Sequence, residues 1–155
     1  MAQAKMVFVS GTKVISLGDN LINGNIAGGT TTLDNSTNLC PYATATLDTP
    51  AAFGSAPTSL STVDLYIVRQ YAYDGGIYVD TAAPSSTNTR GAELVGSFVM
   101  YALNERQIKT ITISLNGIRK AKFFIMNNTG QTMLAQGSPG GNIDVLIAPF
   151  SYQDA

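Results

Sequence analysis

No histidine and no tryptophan occur among the 155 residues, and cysteine occurs once. Without histidine the commonest general base, the Ser-His and Cys-His nucleophile pairs and imidazole metal ligands are all excluded. A lone cysteine excludes an intramolecular disulfide, and in Leu39-Cys40-Pro41 it reads as a small buried hydrophobe. Charge is also scarce: Lys, Arg, Asp and Glu make up 12% of the chain, about half the ~25% of an average globular protein. The net charge of −1 and a pI near 5.1 argue against nucleic acid or an anionic membrane surface as partner. Long apolar runs are missing as well. Met6 to Val9 is too short for the core of a signal peptide, and no run approaches the ~18 residues of a membrane span. The expectation is a soluble chain made in the cytoplasm.

Ser, Thr, Asn, Gly and Ala stand where charge is missing, a composition that suits stacked strands with polar, uncharged outer faces. The clearest pattern runs from Ala92 to Gly130. Ile111, Ile113 and Leu115 alternate with Thr110, Thr112 and Ser114, the period of a strand with one buried face. Asn116-Gly117 then signals a turn. Lys120 to Met126 alternates again up to Asn127-Asn128-Thr129-Gly130, and Phe98 to Leu103 supplies an apolar run upstream. These three segments read as one sheet. Val63, Leu65 and Ile67 mark a further strand, Tyr73-Asp74-Gly75-Gly76 a hairpin turn, and Ile77-Tyr78-Val79 the returning strand. The polar loop Asp80 to Arg90 is expected to project from the domain. Nearer the N-terminus, Met6-Val9 and Lys13-Leu17 flank a Ser10-Gly11 turn.

Residues 18 to 38 are different: rich in Gly, Asn and Thr, with scattered apolar residues and no sustained period. Two readings stand. The segment is an arm that orders against a neighbouring subunit through Leu21, Ile22, Ile26 and Leu33, or it is a long loop or pair of ragged strands. With many short strands, Gly/Pro/Asn turns and no helical periodicity, the fold expected is all-β. It is a jelly-roll-like antiparallel β-sandwich with an irregular N-terminal segment, an immunoglobulin-like sandwich being second. Residues 1–40 form the N-terminal strands and arm or loop, and residues 41–155 the sandwich.

For chemistry there remain carboxylates, at Asp64, Asp74, Asp80 and Glu93. A pair held ~5–9.5 Å apart would suit glycoside cleavage, yet each has a simpler place in a turn, on a polar strand face or beside a loop. Asp74 and Asp80 invite calcium, but their spacing is not that of an EF-hand loop. Gly137 to Gly141 lacks the lysine and helix of a phosphate cradle. Lys109, Arg119, Lys120 and Lys122 read as a solvated stripe or a subunit contact. Tyr66, Tyr73 and Tyr78 are candidates to stack on sugar rings or to contact a protein partner. No catalytic, metal or cofactor site is expected.

Several segments together resemble a family of small tailed-phage virion proteins. They are Val63-Asp64-Leu65-Tyr66-Ile67, Tyr73-Asp74-Gly75-Gly76 with Tyr78 and Asp80, and Glu93-Leu94-Val95-Gly96-Ser97-Phe98. Lys122-Phe123-Phe124-Ile125, Asn127-Asn128-Thr129-Gly130-Gln131 and Pro149-Phe150-Ser151-Tyr152 continue the pattern. The resemblance covers residues 43 to 152, and the first forty have no counterpart. It implies a structural protein, a capsid decoration (cement) protein of jelly-roll type on the outer surface of the virion. Its partners would be the major capsid protein lattice and itself, as dimer or trimer, with no cofactor, nucleic acid or membrane. A glycan-binding module of a tail fibre or adhesion protein, or a tail or connector subunit, are the alternatives.

Overall fold

A computed structural model describes residues 4–50, 53–70, 85–103, 105–116, 118–135 and 141–153. They form nine strands and, among the described residues, no helix, so none long and apolar enough to cross a membrane. The strands are β1 (Lys5–Phe8), β2 (Thr12–Leu17), β3 (Ile26–Asp34), β4 (Tyr42–Thr49) and β5 (Thr62–Gln70). After them come β6 (Glu93–Val99), β7 (Gln107–Ser114), β8 (Lys120–Asn128) and β9 (Ile143–Gln153).

The antiparallel pairings are nested. β2 lies beside β9, β3 beside β8, β4 beside β7 and β5 beside β6. Pairing of β4 with β9 and of β5 with β8 joins them into two sheets. The first sheet runs β1/β2, β9, β4, β7, and the second β3, β8, β5, β6. From β2 onward every connection but β5 to β6 passes to the other sheet. That is a jelly roll of eight strands, with β1 and β2 forming one bent edge strand.

Between the sheets lies one apolar core. Ala43, Ala45 and Leu47 of β4, Val63, Leu65 and Ile67 of β5, Ala121, Phe123 and Ile125 of β8, and Ile143, Val145 and Ile147 of β9 alternate inward. None is more than 1% exposed. Here the period-two reading holds residue by residue.

The connectivity departs from the sequence reading at three places. The segments of 92–130 are not one sheet: β6 and β8 belong to the second sheet and β7 to the first. Asn116 does take a positive φ of 45°, but the turn carries the chain across the sandwich and closes no hairpin. Ser10-Gly11 does not form the expected turn either. β1 and β2 run in the same direction along β9, with Phe8 opposite Phe150 and Thr12 opposite Ile147. Four steps on one strand against three on the other make a bulge. At the bulge the Val9 amide donates to the Pro149 carbonyl at 2.8 Å. Pro149 has no N–H to offer on that side, so the kink falls where the ladder would be incomplete.

The third departure concerns residues 18–38. They are part of the sandwich: β3 forms an edge of the second sheet, and Leu21 bridges to Met133. Between Gly28 and Thr32 the pairing with β8 slips, β3 advancing four residues against two. Gly28 and Gly29 adopt φ of 132° and 75° there. A Cβ on Gly28 would stand 2.5 Å from the Phe123 carbonyl oxygen, and one on Gly29 2.4 Å from the Phe124 ring. Only glycine fits both demands.

Candidate functional site

The two outer faces of the sandwich differ. On the second sheet Ile26, Val68 and Phe124 point away from the main core yet are buried, 6–8% exposed, in a cluster with Tyr66, Ala92 and Met126. The β5–β6 connection reaches this face. Ser86 accepts a 2.8 Å hydrogen bond from the Ile26 amide, and Ala92 packs on the cluster. The described end of this connection, Ser85 to Arg90, thus returns to the sheet where a projecting loop was expected.

The outer face of the first sheet has no such cover among the described residues. Its rows follow from the register. Phe8, Phe150 and Tyr42 stand side by side on β1, β9 and β4, with Met6 and Tyr152 in the adjoining row. Ring centroids lie 5.3 Å apart for Phe8–Phe150, 5.7 Å for Tyr42–Phe150, 5.7 Å for Phe150–Tyr152 and 6.1 Å for Tyr42–Tyr152. Tilted and edge-on pairs at these distances attract beyond simple burial. Phe150 at the centre is 2% exposed, while Phe8, Tyr42 and Tyr152 are 52%, 40% and 56% exposed. The next two rows are uncharged across β9, β4 and β7: Ala148-Thr44-Thr112, then Leu146-Thr46-Thr110, with Leu146 41% exposed. The hydroxyls of Thr46 and Thr110 are 2.9 Å apart.

Charge returns at the far end. Asp144 and Asp48 are paired across β9 and β4. Lys13 reaches Asp144 at 2.7 Å, and Arg106 grips Asp48 with two bonds of 3.0 and 2.7 Å. The Asp48 hydrogen bonds push the Arg106 guanidinium pKa further up. Four strands ~4.8 Å apart and eight residues long at ~3.4 Å each give a face of about 500 Å². It is uncharged in the middle, aromatic at one end and charged at the other.

The residues singled out from sequence are not assembled into one site. Leu21 and Leu33 are in the main core, 4% and 2% exposed, and Ile26 is in the cluster on the second sheet. Ile22 alone, 58% exposed, is open to a partner. An arm built on these four is therefore corrected: three are needed for this chain's own packing. Tyr66 is packed against the outer cluster, and burial first, the Asp64 charge second, raise its pKa. Tyr73 and Tyr78 lie outside the described residues, as do Asp74 and Asp80 with the calcium reading. Asp64 is a clamp between strands, accepting from Ser97 Oγ at 2.6 Å and Asn128 Nδ2 at 2.7 Å. Glu93 is held by Arg69 in a two-bond pair of 2.7 and 3.0 Å. Among the described residues no three His, Cys, Asp or Glu side chains gather.

Lys109 belongs to the first sheet and Lys120 and Lys122 to the second, so they form no stripe. A shallow crevice of about 310 Å³ lies along residues 16–21 and Ala27, and Asp19 is the one ionisable residue lining it. Sequence reasoning missed the aromatic cluster. The signal available was Phe150 and Tyr152 two apart on one strand. The chain matches no protein-family model and has no significant match among curated protein sequences.

Proposed function

We propose that the chain is a structural protein of a tailed-phage virion, a capsid decoration protein that lies on the outer shell and stabilises it. The observation that carries this reading is the open, low-charge outer face of the first sheet with its cluster of Phe8, Tyr42, Phe150 and Tyr152. The jelly-roll fold and the resemblance over residues 43–152 support it. On this reading the chain needs no catalytic centre and no cofactor. Its partners are the capsid lattice and further copies of itself, and it is made in the host cytoplasm.

The physics of such a contact follows from its size. About 500 Å² per copy is below the ~800 Å² per partner of a stable standard interface. One copy binds weakly. Many copies bridging neighbouring capsomers, each linked to others, hold tightly through effective concentration. Aromatic side chains suit the task because they bring large area at little rotamer entropy.

Co-sedimentation of the purified chain with undecorated shells tests the reading. Saturable binding at a stoichiometry matching the capsomer lattice is expected, with loss of at least tenfold in affinity for Phe8→Ser/Tyr152→Ser. Absence of binding by the unaltered chain would overturn it. The exposed tyrosines at 42 and 152 favour one second reading, a glycan-binding module, in which a glycan array returns a specific sugar whose binding Tyr152→Ala abolishes.

A further inference from the structure

Four strands or strand pairs form the sheet edges: β1–β2 and β7 in the first sheet, β3 and β6 in the second. An open edge offers a row of backbone donors and acceptors to any other strand, and proteins blunt such edges with bulges, charges or proline. Three of the four are blunted. β1–β2 is kinked at the bulge before Thr12 and carries Lys5 and Lys13. β3 is bulged between Gly28 and Thr32 and ends in Asp34. β6 begins at Glu93 and pairs with β5 through a shift at Leu65/Tyr66.

β7 is the exception. Its eight residues, Gln107 to Ser114, pair with β4 without a shift and include neither Gly nor Pro. Its one charge, Lys109, is drawn off the edge, its ammonium 3.5 Å from the centroid of the Tyr101 ring. On its other side β7 pairs with no strand among the described residues.

We infer that β7 is a homodimer seam, pairing antiparallel with β7 of a second copy about a twofold axis at Ile111. The strand is self-complementary in that register. Ile111 meets the partner's Ile111, Thr110 meets the partner's Thr112, Lys109 meets the partner's Ile113 and Ile108 meets the partner's Ser114. No like charges are opposed. Thr110 and Thr112 both face outward, so the outer faces of the two copies continue into each other. Cross-strand threonine pairs stabilise antiparallel sheets, and the 2.9 Å Thr46–Thr110 contact already shows the geometry. An extended segment of another protein would gain the backbone bonds without this side-chain matching, so the second copy is the occupant.

The seam is about 27 Å long and the sandwich roughly 20 Å thick, giving on the order of 500 Å² per partner. That is the low end for a specific interface, the size of weak and transient pairings. Pairing would double the open face into one eight-stranded surface with an aromatic cluster at two opposite corners. The dimer stands whether or not the chain belongs to a virion.

Sedimentation velocity on the full chain from ~1 to ~100 µM covers the range in which a weak pairing shows itself. The mass is expected to rise from 16.3 kDa towards twice that value. Thr110→Lys/Thr112→Lys places like charges opposite each other twice, and should raise the dissociation constant roughly tenfold or more. Thr110→Glu/Thr112→Glu should do the same, and mixing the two variants should restore the dimer. An unaltered chain that stays monomeric, charged variants that dimerise undiminished, or a mixture that stays monomeric each overturns the seam. Hydrogen exchange on the unaltered chain gives an independent reading: β7 amides must gain protection as concentration rises, and unchanged protection contradicts the dimer.

Discussion

Asp48 on β4 and Asp144 on β9 stand directly opposite each other, and each holds a cation on its far side, Arg106 and Lys13. Like charges opposed across strands destabilise a sheet. Here the two flanking cations offset that repulsion, and the row is neutral only as a set of four.

The first prediction follows from that row. Lys13→Ala should cost about 0.5–1 kcal/mol, the discounted worth of a half-exposed pair plus the unmasked repulsion. Adding Asp144→Asn should recover most of the loss, although Asp144→Asn alone removes a salt bridge. Arg106→Ala should destabilise in the same direction. Urea unfolding of the four variants measures the coupling, and additive effects for Lys13→Ala and Asp144→Asn would contradict it.

Asn127 is a second point of leverage. Fully buried, it donates to the carbonyls of Leu21 at 2.7 Å and Gln131 at 2.8 Å, and accepts from Thr129 N and Oγ1 at 3.0 and 2.7 Å. Its side chain therefore joins the end of β8 to the connection between β2 and β3. Asn127→Leu strands several buried polar groups at once and should cost about 2–4 kcal/mol. The denaturation midpoint should fall with the m-value unchanged. A loss under 1 kcal/mol would refute this account.

Removal of residues 1–38 is expected to abolish folding. The cut takes β1, β2 and β3, which are edge strands of both sheets, together with Val14, Ile15, Leu21 and Leu33 of the core. Far-UV circular dichroism and amide dispersion in NMR check this directly. A folded 39–155 fragment would restore the arm reading.

Alkaline pH should weaken the fold through Tyr66. Burial, and then the Asp64 charge, hold its folded pKa above the ordinary value of about 10. As pH rises past 10 the unfolded chain loses that proton first, so it binds fewer protons than the native state and stability falls. The decline runs from the ordinary value to the raised folded one. Tyr66→Phe should remove this part of the decline, as read from melting temperature against pH. The difference in phenolate absorbance between the native chain and Tyr66→Phe should appear above the ordinary tyrosine range.

The strands with strict alternation were legible residue by residue. In β5, β7 and β8 the alternating residues Val63, Leu65 and Ile67, Ile111 and Ile113, and Ala121, Phe123 and Ile125 turn to the core, as local pattern requires. β3 was not legible, because Gly28 and Gly29 insert residues that break the period. Ser10-Gly11 was misread because turns and bulges draw on the same residue types. Which sheet a strand joins was equally hidden, since β7 leaves its sequence neighbours to pair with β4. The aromatic cluster is the extreme case: Phe8, Tyr42 and Phe150 meet only because β9 lies between β1 and β4. Asp64 and Glu93 were visible as carboxylates, but their strand-clamping partners, Ser97, Asn128 and Arg69, depend on register.

The nested pairing also has a kinetic side. β9 sits between β4 and the β1–β2 edge, and Lys5 finds its partner at Gln153. β9 is made after every other strand of the fold, so until it emerges the first sheet is two separated pieces with bare edges. Nearly all its long-range pairings must then close over large sequence separations, the regime of slow folding. For that interval the nascent chain is sticky in the cell. Yield should depend on chaperone supply and temperature during synthesis more than on the stability of the finished fold.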